Sequence, residues 1–371
     1  MSFSRVEISR SGIVKRFREM LNNSSSTARV GDYYGQYVYR SDAIPPQKNQ
    51  MEELNRTGLD RSASLRLPWG NTREVMPPTF MSGNPPKKLR RLEKKEDQAD
   101  KLGLYVENSH QCFRHAPLAF QARFFDMISV LGKVWAYIVS PIVLIVLFLV
   151  SPLFGTREET WPEFMQGLFP VEVIFLMGGW VLILISDLAF RLFPKWLHQN
   201  GRGPEWEFNR RTGMIKVWQY SRKFPFLPRK PPVVIEKPFY EFDAWCCARV
   251  DRFGTLFDLV LSHRYSKLDV TVGDILGAHG SATMCYAYWD FIQNYMDITK
   301  PLPELPMLER YRPLDPTTAE HDQKTGRPPR YWRDMDDETF KKKVDRMFTD
   351  VTIIDTAQRR NLMAEKLNYA S

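Results

Sequence analysis

Histidine and cysteine are scarce in this sequence, 6 and 4 of its 371 residues. The cysteines are Cys112, Cys246, Cys247 and Cys285. They make no CxxC pair and no Cys/His cluster with zinc spacing, so no metal ligand is expected. The adjacent Cys246 and Cys247 cannot form a relaxed disulfide with each other, because neighbouring side chains point apart. Such thiols read as small buried residues in a reducing compartment. Motifs that carry common chemistries are missing as well: there is no GxSxG, P-loop, GxGxxG or HExxH. His263, His279 and His321 stand alone in sequence, and Ser281, after His279, reads as a helix N-cap. No catalytic residue and no cofactor is therefore expected. The opening residues, MSFSRVEISRSGIVKRF, lack the apolar run of a secretory signal, so a membrane helix further on has to direct insertion.

Mean hydropathy is low, -0.37, and the net charge is +9. The apolar residues are concentrated instead in two runs. The first, Val134–Phe154, carries no charge and is long enough to cross about 30 Å of hydrocarbon. Pro141 and Pro152 do not exclude it, and Trp135 and Tyr137 sit where an interfacial aromatic belt would. The second, Val171–Phe193, holds Glu172 at its start and Asp187 and Arg191 near its end. The last two are four apart, on one helix face, and are expected to form an intramembrane ion pair. Gly178 and Gly179 offer a close-approach surface to the first run.

The connection at 155–170 is net acidic, with Arg157 against Glu158, Glu159 and Glu163. The outer flanks are basic, with Lys133 before the first run and Lys195 after the second. The positive-inside rule then predicts a multi-pass protein of the bacterial inner membrane with both termini cytoplasmic. The basic flanks suit anionic lipid headgroups, and nothing in them matches a nucleic-acid-binding module.

Residues 1–101 read as a polar, partly disordered cytoplasmic region; an amphipathic helix at Val6–Leu21 would lie on the membrane surface or pack on the protein, and 30–86 is either disordered or wrapped loosely on the C-terminal domain. Residues 117–133 read as an amphipathic helix leading to the membrane. Beyond the second run the pattern changes to period two. Trp206 and Phe208, a turn at Asn209–Gly213, then Ile215 and Val217 predict a hairpin with a positive φ at Gly213. Strands are expected at Val233–Ile235, Tyr240–Val250, Leu256–Ser262 and Tyr265–Val272, and a helix at Ala282–Ile298. The fold class is thus an α+β membrane protein. A two-helix transmembrane hairpin (134–154 and 171–193) joins a cytoplasmic antiparallel-sheet domain (205–298) closed by a helix, pleckstrin-homology-like, or another sheet with a covering helix. A Pro-rich segment and C-terminal helices fill 299–371, with helices expected at Glu338–Phe348, capped by Asp336 or Asp337, and at Ile353–Tyr369.

The blocks EFNRRTGMIKVW (Glu207–Trp218) and GRPPRYWRDM (Gly326–Met335) resemble a family of bacterial proteins with two membrane helices and a cytoplasmic domain of unknown function. The likeness spans roughly residues 110–340. That family is associated with type VI secretion effector loci, so the resemblance implies an inner-membrane accessory or immunity-like protein. Its partner would be a secreted effector or a secretion component. It supplies no catalytic residue. The expected contacts to a protein partner or to lipid are Arg210, Arg211, Trp218, Tyr331 and Trp332. A membrane-tethered lipid- or ligand-sensing domain, or an enzyme with a dispersed site, stays open as the alternative.

Overall fold

The computed structural model describes residues 33–49, 64–93, 106–117, 119–154, 161–199, 203–220, 231–252, 254–272, 281–355 and 359–367. The helix expected at Val6–Leu21 lies outside them, as do His279 and residues 155–160 of the acidic connection. The chain is α+β with antiparallel sheets. It divides into two compact units, one of 1–92, 108–113 and 206–371, the other of 93–107 and 114–205.

Two short helices come first in the chain, α1 (Pro78–Ser82) and α2 (Pro86–Glu93); the second unit is built on two long helices, followed by a short one, α6 (Pro194–Gln199). Helix α3 (Phe120–Val134) runs through a π-turn at Trp135–Val139 into α4 (Ser140–Phe154). The π-turn lies just ahead of Pro141, whose ring would clash with the carbonyl of the turn before it; widening that turn relieves the clash. The expected lead-in helix and first run are therefore one continuous rod. Among the described residues, one helix is long and apolar enough to cross a membrane: Phe120–Val146, 27 residues, with mean hydropathy 1.9 over its most apolar 18-residue stretch. It begins earlier than the expected span, because Phe120, Phe124, Met127, Val130 and Leu131 extend the apolar surface past Lys133. Helix α5 (Trp161–Leu192) also starts earlier than expected, ten residues before Val171.

These helices pack antiparallel. Ser186 Oγ donates to the Phe125 carbonyl at 2.8 Å, the Tyr137 and Trp180 rings lie 5.3 Å apart, and Gly132 meets Gly179. A Cβ on Gly132 would stand 2.8 Å from the Gly179 carbonyl, and one on Gly179 would stand 2.7 Å from the Ala136 nitrogen. The close approach expected at Gly179 is present; a Cβ on Gly178 would make only ordinary van der Waals contact, 4.0 Å from the Trp135 indole nitrogen. The seam consists of small residues, Ala122, Gly132, Ala136, Ser140, Gly179, Ser186 and Ala189. Large apolar side chains such as Ile138, Ile145, Leu184 and Leu188 face outward.

Two sheets are present, and all their residues but Glu107, Arg114 and His115 fall in the first unit. One has the order β1-β7-β8-β9: β1 (Ser64–Arg66), β7 (Phe242–Asp251), β8 (Gly254–His263) and β9 (Asp269–Thr271). The other has the order β2-β3-β4-β5-β6: β2 (Glu107–Asn108), β3 (Cys112–His115), β4 (Trp206–Asn209), β5 (Met214–Gln219) and β6 (Val233–Pro238). The β4–β5 hairpin follows from its sequence. Trp206, Phe208, Ile215 and Val217 alternate inward, Asn209 Oδ1 accepts the Thr212 N–H at 2.9 Å, and Gly213 turns the chain at φ +74°. Backbone atoms of Tyr37 and Val38 occupy the space where a Gly213 Cβ would go, so this position requires glycine on both counts.

Helix α7 (Ala282–Met296) starts at Ser281, whose side chain accepts the Thr283 N–H, as its sequence suggests. Every residue from Cys285 to Met296 is buried. The helix is thus enclosed rather than laid over one face of a sheet. The enclosure comes from segments that carry no clear periodicity. Tyr39, Leu67 and Trp69 enter the core from the N-terminal side. Leu302, Leu305, Leu308, Trp332 and Met363 enter it from the C-terminal side, with Phe340 and Val344 of α9 (Asp337–Thr352). The described parts of 33–92 and 299–367 belong to the same core as 206–298, although their sequence reads as separate regions. The region 353–369, expected to hold a helix, shows only a 3₁₀ turn at Leu362–Glu365 among its described residues.

Candidate functional site

Arg210 sits in the β4–β5 turn, where a surface cation is the ordinary expectation. Instead it is fully enclosed. Its Nε and Nη2 hold Asp315 two-pronged at 3.1 and 3.2 Å. Nη1 donates to the carbonyls of Tyr295 and Asp297 at 2.6 and 2.8 Å, and Nη2 to that of Lys300 at 2.7 Å. A guanidinium carries five N–H donors, and all are used. Three of the acceptors are orphan carbonyls at or just past the C-terminus of α7, where a positive charge is also favoured by the helix dipole. Asp315 in turn caps α8 (Pro316–Thr325) through the Thr318 N–H and accepts the Tyr34 hydroxyl at 2.8 Å. Burial pushes the Asp315 carboxyl upward, but the Arg210 charge and these donors outweigh it and hold it below its ordinary range. Arg210 is therefore a joint between the hairpin, α7 and α8, and offers no surface to lipid or partner.

Trp332 is likewise inside the core. Its indole N–H donates to Glu304 at 2.7 Å and its backbone N–H to Glu309 at 2.6 Å. Neither residue can serve as the contact expected of it. The other three expected contacts retain surface. Arg211 is exposed and lies over the Tyr33 ring at 5.0 Å. Trp218 is half-buried on β5, and Tyr331 is half-buried between Arg327 and Lys343, 5.1 and 5.5 Å from its ring. The expected Asp187–Arg191 ion pair is absent: both side chains are exposed, and no ion pair joins them among the described residues. Between two exposed side chains pairing gains little.

A second polar group lies along one face of α7. Asp290, Gln293, Asn294 and Asp297 recur at helical spacing and are all buried. They hold the N-terminal segment by its backbone. Asp290 accepts the Arg73 N–H at 3.0 Å, Gln293 the Gly70 N–H at 2.8 Å, and Asp297 the Ser41 N–H at 3.2 Å. Asn294 donates to the Arg73 carbonyl at 2.8 Å. Arg359 closes the group, with Nη1 2.7 Å from both Asp290 oxygens. Burial raises the Asp290 carboxyl despite Arg359, as expected for a charge held away from water. Sequence reading missed this stripe, since polar residues on an otherwise apolar helix look like its solvent face.

His263, isolated in sequence, meets two groups in the fold. Its Nε2 is 2.9 Å from Glu241 and its Nδ1 is 2.8 Å from Ser266 Oγ. A Ser–His–Glu series invites a nucleophilic reading, but Nδ1 also accepts the Tyr265 backbone N–H at 3.2 Å. That donor fixes Nδ1 as the unprotonated nitrogen and occupies the lone pair a general base would need. The group locks the β8–β9 turn. His321 is exposed on α8, 3.5 Å from its neighbour Asp322. No group of three or more His, Cys, Asp or Glu side chains suited to a metal occurs among the described residues. Comparison with family models, with curated proteins and with solved structures finds no match.

Proposed function

We propose that this chain is a membrane-anchored binding protein. The α3–α4/α5 hairpin crosses the bacterial inner membrane twice, and the α+β unit presents a protein-binding surface in the cytoplasm. The observation that carries this reading is the composition of the first unit. It contains chain from both before and after the hairpin, so both flanks lie on one side of any membrane the hairpin enters, and the number of crossings is even. The seam supports it further: small residues inside and large apolar ones outside suit lipid as the surrounding medium and are the reverse of a soluble helix pair. The acidic connection and the basic flanks at Lys133 and Lys195 orient the hairpin with the first unit inside.

The protein-binding surface fits the open edge of the second sheet. No strand pairs beyond β6 among the described residues, and Val233 and Val234 on it are 63% and 46% exposed. Such an edge accepts an added strand from a partner. The resemblance to proteins of type VI secretion loci points to an effector or secretion component as that partner, in an accessory or immunity-like role. A pleckstrin-homology-like arrangement has in its favour two antiparallel sheets and a long helix after them; the enclosure of α7 on all sides stands against it.

The test is topology together with capture. Green fluorescent protein fused after Ser371 is expected to fluoresce, alkaline phosphatase there to be silent, and a cysteine placed at Glu159 to react with an impermeant thiol reagent from the periplasm. A phosphatase-active fusion at Ser371 would overturn the orientation. An unreactive cysteine at Glu159 in intact cells would overturn the double crossing. Crosslinking from native membranes with a photoreactive residue at Val234 is expected to recover a protein, and recovery of lipid alone would favour a lipid-sensing domain.

A further inference from the structure

Among the described residues, four arginines grip a carboxylate with the same edge of the guanidinium, Nε together with Nη2. Arg40 holds Asp42 at 3.1 and 3.1 Å, Arg210 holds Asp315, Arg312 holds Asp322 at 2.7 and 2.6 Å, and Arg327 holds Glu304 at 2.8 and 2.6 Å. Arg359 differs. It contacts Asp290 only through Nη1, and its Nε and Nη2 have no acceptor among the described residues. Its side chain is only 5% exposed, so bulk solvent does not satisfy them. Gln293, three residues along α7 from Asp290 and on the same face, spends its Oε1 on Gly70. Its Nε2 is buried and lacks an acceptor too. Buried N–H groups without acceptors are costly, and charged ones most of all. Here two residues of one buried group leave donors over, and one presents the planar fork that matches an oxyanion.

We propose that the Arg359 fork, assisted by Gln293, is a binding site for a small oxyanion, the carboxylate or phosphate of a soluble ligand. Enclosure selects the size: a fork this deeply buried admits a small molecule or its terminal oxyanion and not the face of a macromolecule. Binding there ties together α7, the Gly70–Arg73 segment held by Asp290 and Gln293, and the Arg359–Asn361 segment. Asn361 accepts the Trp69 N–H at 3.2 Å and Leu362 donates to the Trp69 carbonyl at 2.9 Å, so the site sits where both outer segments meet the central helix.

The full chain in detergent is titrated calorimetrically with inorganic phosphate and separately with succinate, against chloride at matched ionic strength. Saturable heat with at least one of the two is expected, and the arm that responds identifies the phosphate or carboxylate class. Arg359→Lys keeps the charge beside Asp290 but removes the fork, and is expected to weaken binding by about tenfold or more. Gln293→Glu keeps the acceptor for Gly70 while replacing the spare donor by a carboxylate; it is expected to weaken binding similarly, which serves if the lysine variant fails to fold. Absence of saturable heat from both oxyanions, or equal affinity in wild type and in the folded variants, overturns the proposal.

Discussion

Replacing Arg210 by methionine removes five hydrogen bonds and one charge from an enclosed site while keeping an unbranched apolar stem in place. Asp315 is left buried and ionised without its partner, which costs about 3–5 kcal/mol when a buried pair is broken from one side. The carbonyls of Tyr295, Asp297 and Lys300 lose donors as well, at about 1–3 kcal/mol each where water cannot replace them. A domain's whole stability is about 5–15 kcal/mol, so Arg210→Met is expected to remove most of it. Arg210→Lys keeps the charge but has three donors in place of five; at about 1 kcal/mol per hydrogen bond its loss is about 2 kcal/mol. Denaturant titration of the full chain, followed by tryptophan fluorescence, reads both, because Trp69 and Trp289 pack edge to face in the core at 4.7 Å. A double-mutant cycle with Asp315→Asn is expected to give a coupling of about 2 kcal/mol or more. A loss below about 1 kcal/mol for Arg210→Met, or an additive cycle, would refute the reasoning, since a surface cation in a turn behaves in that way.

The hairpin and the β8–β9 turn give two more expectations. Gly179→Leu drives a side chain into the backbone at Ala136 and is expected to cost about 1–3 kcal/mol and to abolish a disulfide engineered between α3 and α5, whereas Gly178→Leu, whose Cβ meets nothing closer than the Trp135 indole nitrogen at 4.0 Å, is expected to keep it. Burial lowers the pKa of His263 even though Glu241 acts to raise it; the folded state then resists protonation, and stability falls as pH drops through the unfolded value of about 6.5. In His263→Gln that component of the slope between about pH 7 and 5 is expected to vanish, and an unchanged slope in denaturation measured across the range would refute it.

Elements that depend on near neighbours were legible. The β4–β5 hairpin follows from strict alternation and from Asn209 and Gly213 at its turn. The start of α7 follows from Ser281, and that of α9 from Asp336, whose carboxylate accepts the Thr339 N–H at 2.8 Å. The enclosure of α7 was not legible, because its walls come from far along the chain: Tyr34 reaches Asp315 across 281 positions. Nor was the fate of the expected contacts. Arg210 and Arg211 are adjacent and alike in sequence, yet one is sealed in the core and the other is exposed. What separates them is the arrival of the α7 C-terminus and Asp315 above the first, a fact of tertiary packing alone. Trp332 went the same way. A large aromatic beside arginines reads as an exposed anchor until Glu304 and Glu309 are seen to hold its two N–H groups.

A core assembled from segments on both sides of a long insertion faces a closure problem that the insertion itself solves. Trp69 must meet Trp289 and Phe239, so neither half of the first unit can bury its aromatics until the chain has passed through α3, α4 and α5 and returned. Bringing together the ends of a flexible loop as long as the 61 positions between Phe125 and Ser186 would cost roughly 4 kcal/mol of chain entropy. In this chain the hairpin bears that cost by packing its own helices. Ser186 lies against Phe125, and at the base the Glu205 N–H donates to the His115 carbonyl at 2.9 Å. The outgoing and returning strands therefore leave the hairpin already side by side. Formation of the Gly132–Gly179 seam thus lowers the effective contact order of the core, and topology of that kind sets folding speed. The small-residue seam then acts beyond its own helices: a side chain that splays it raises the barrier to assembling the core that the flanking segments form.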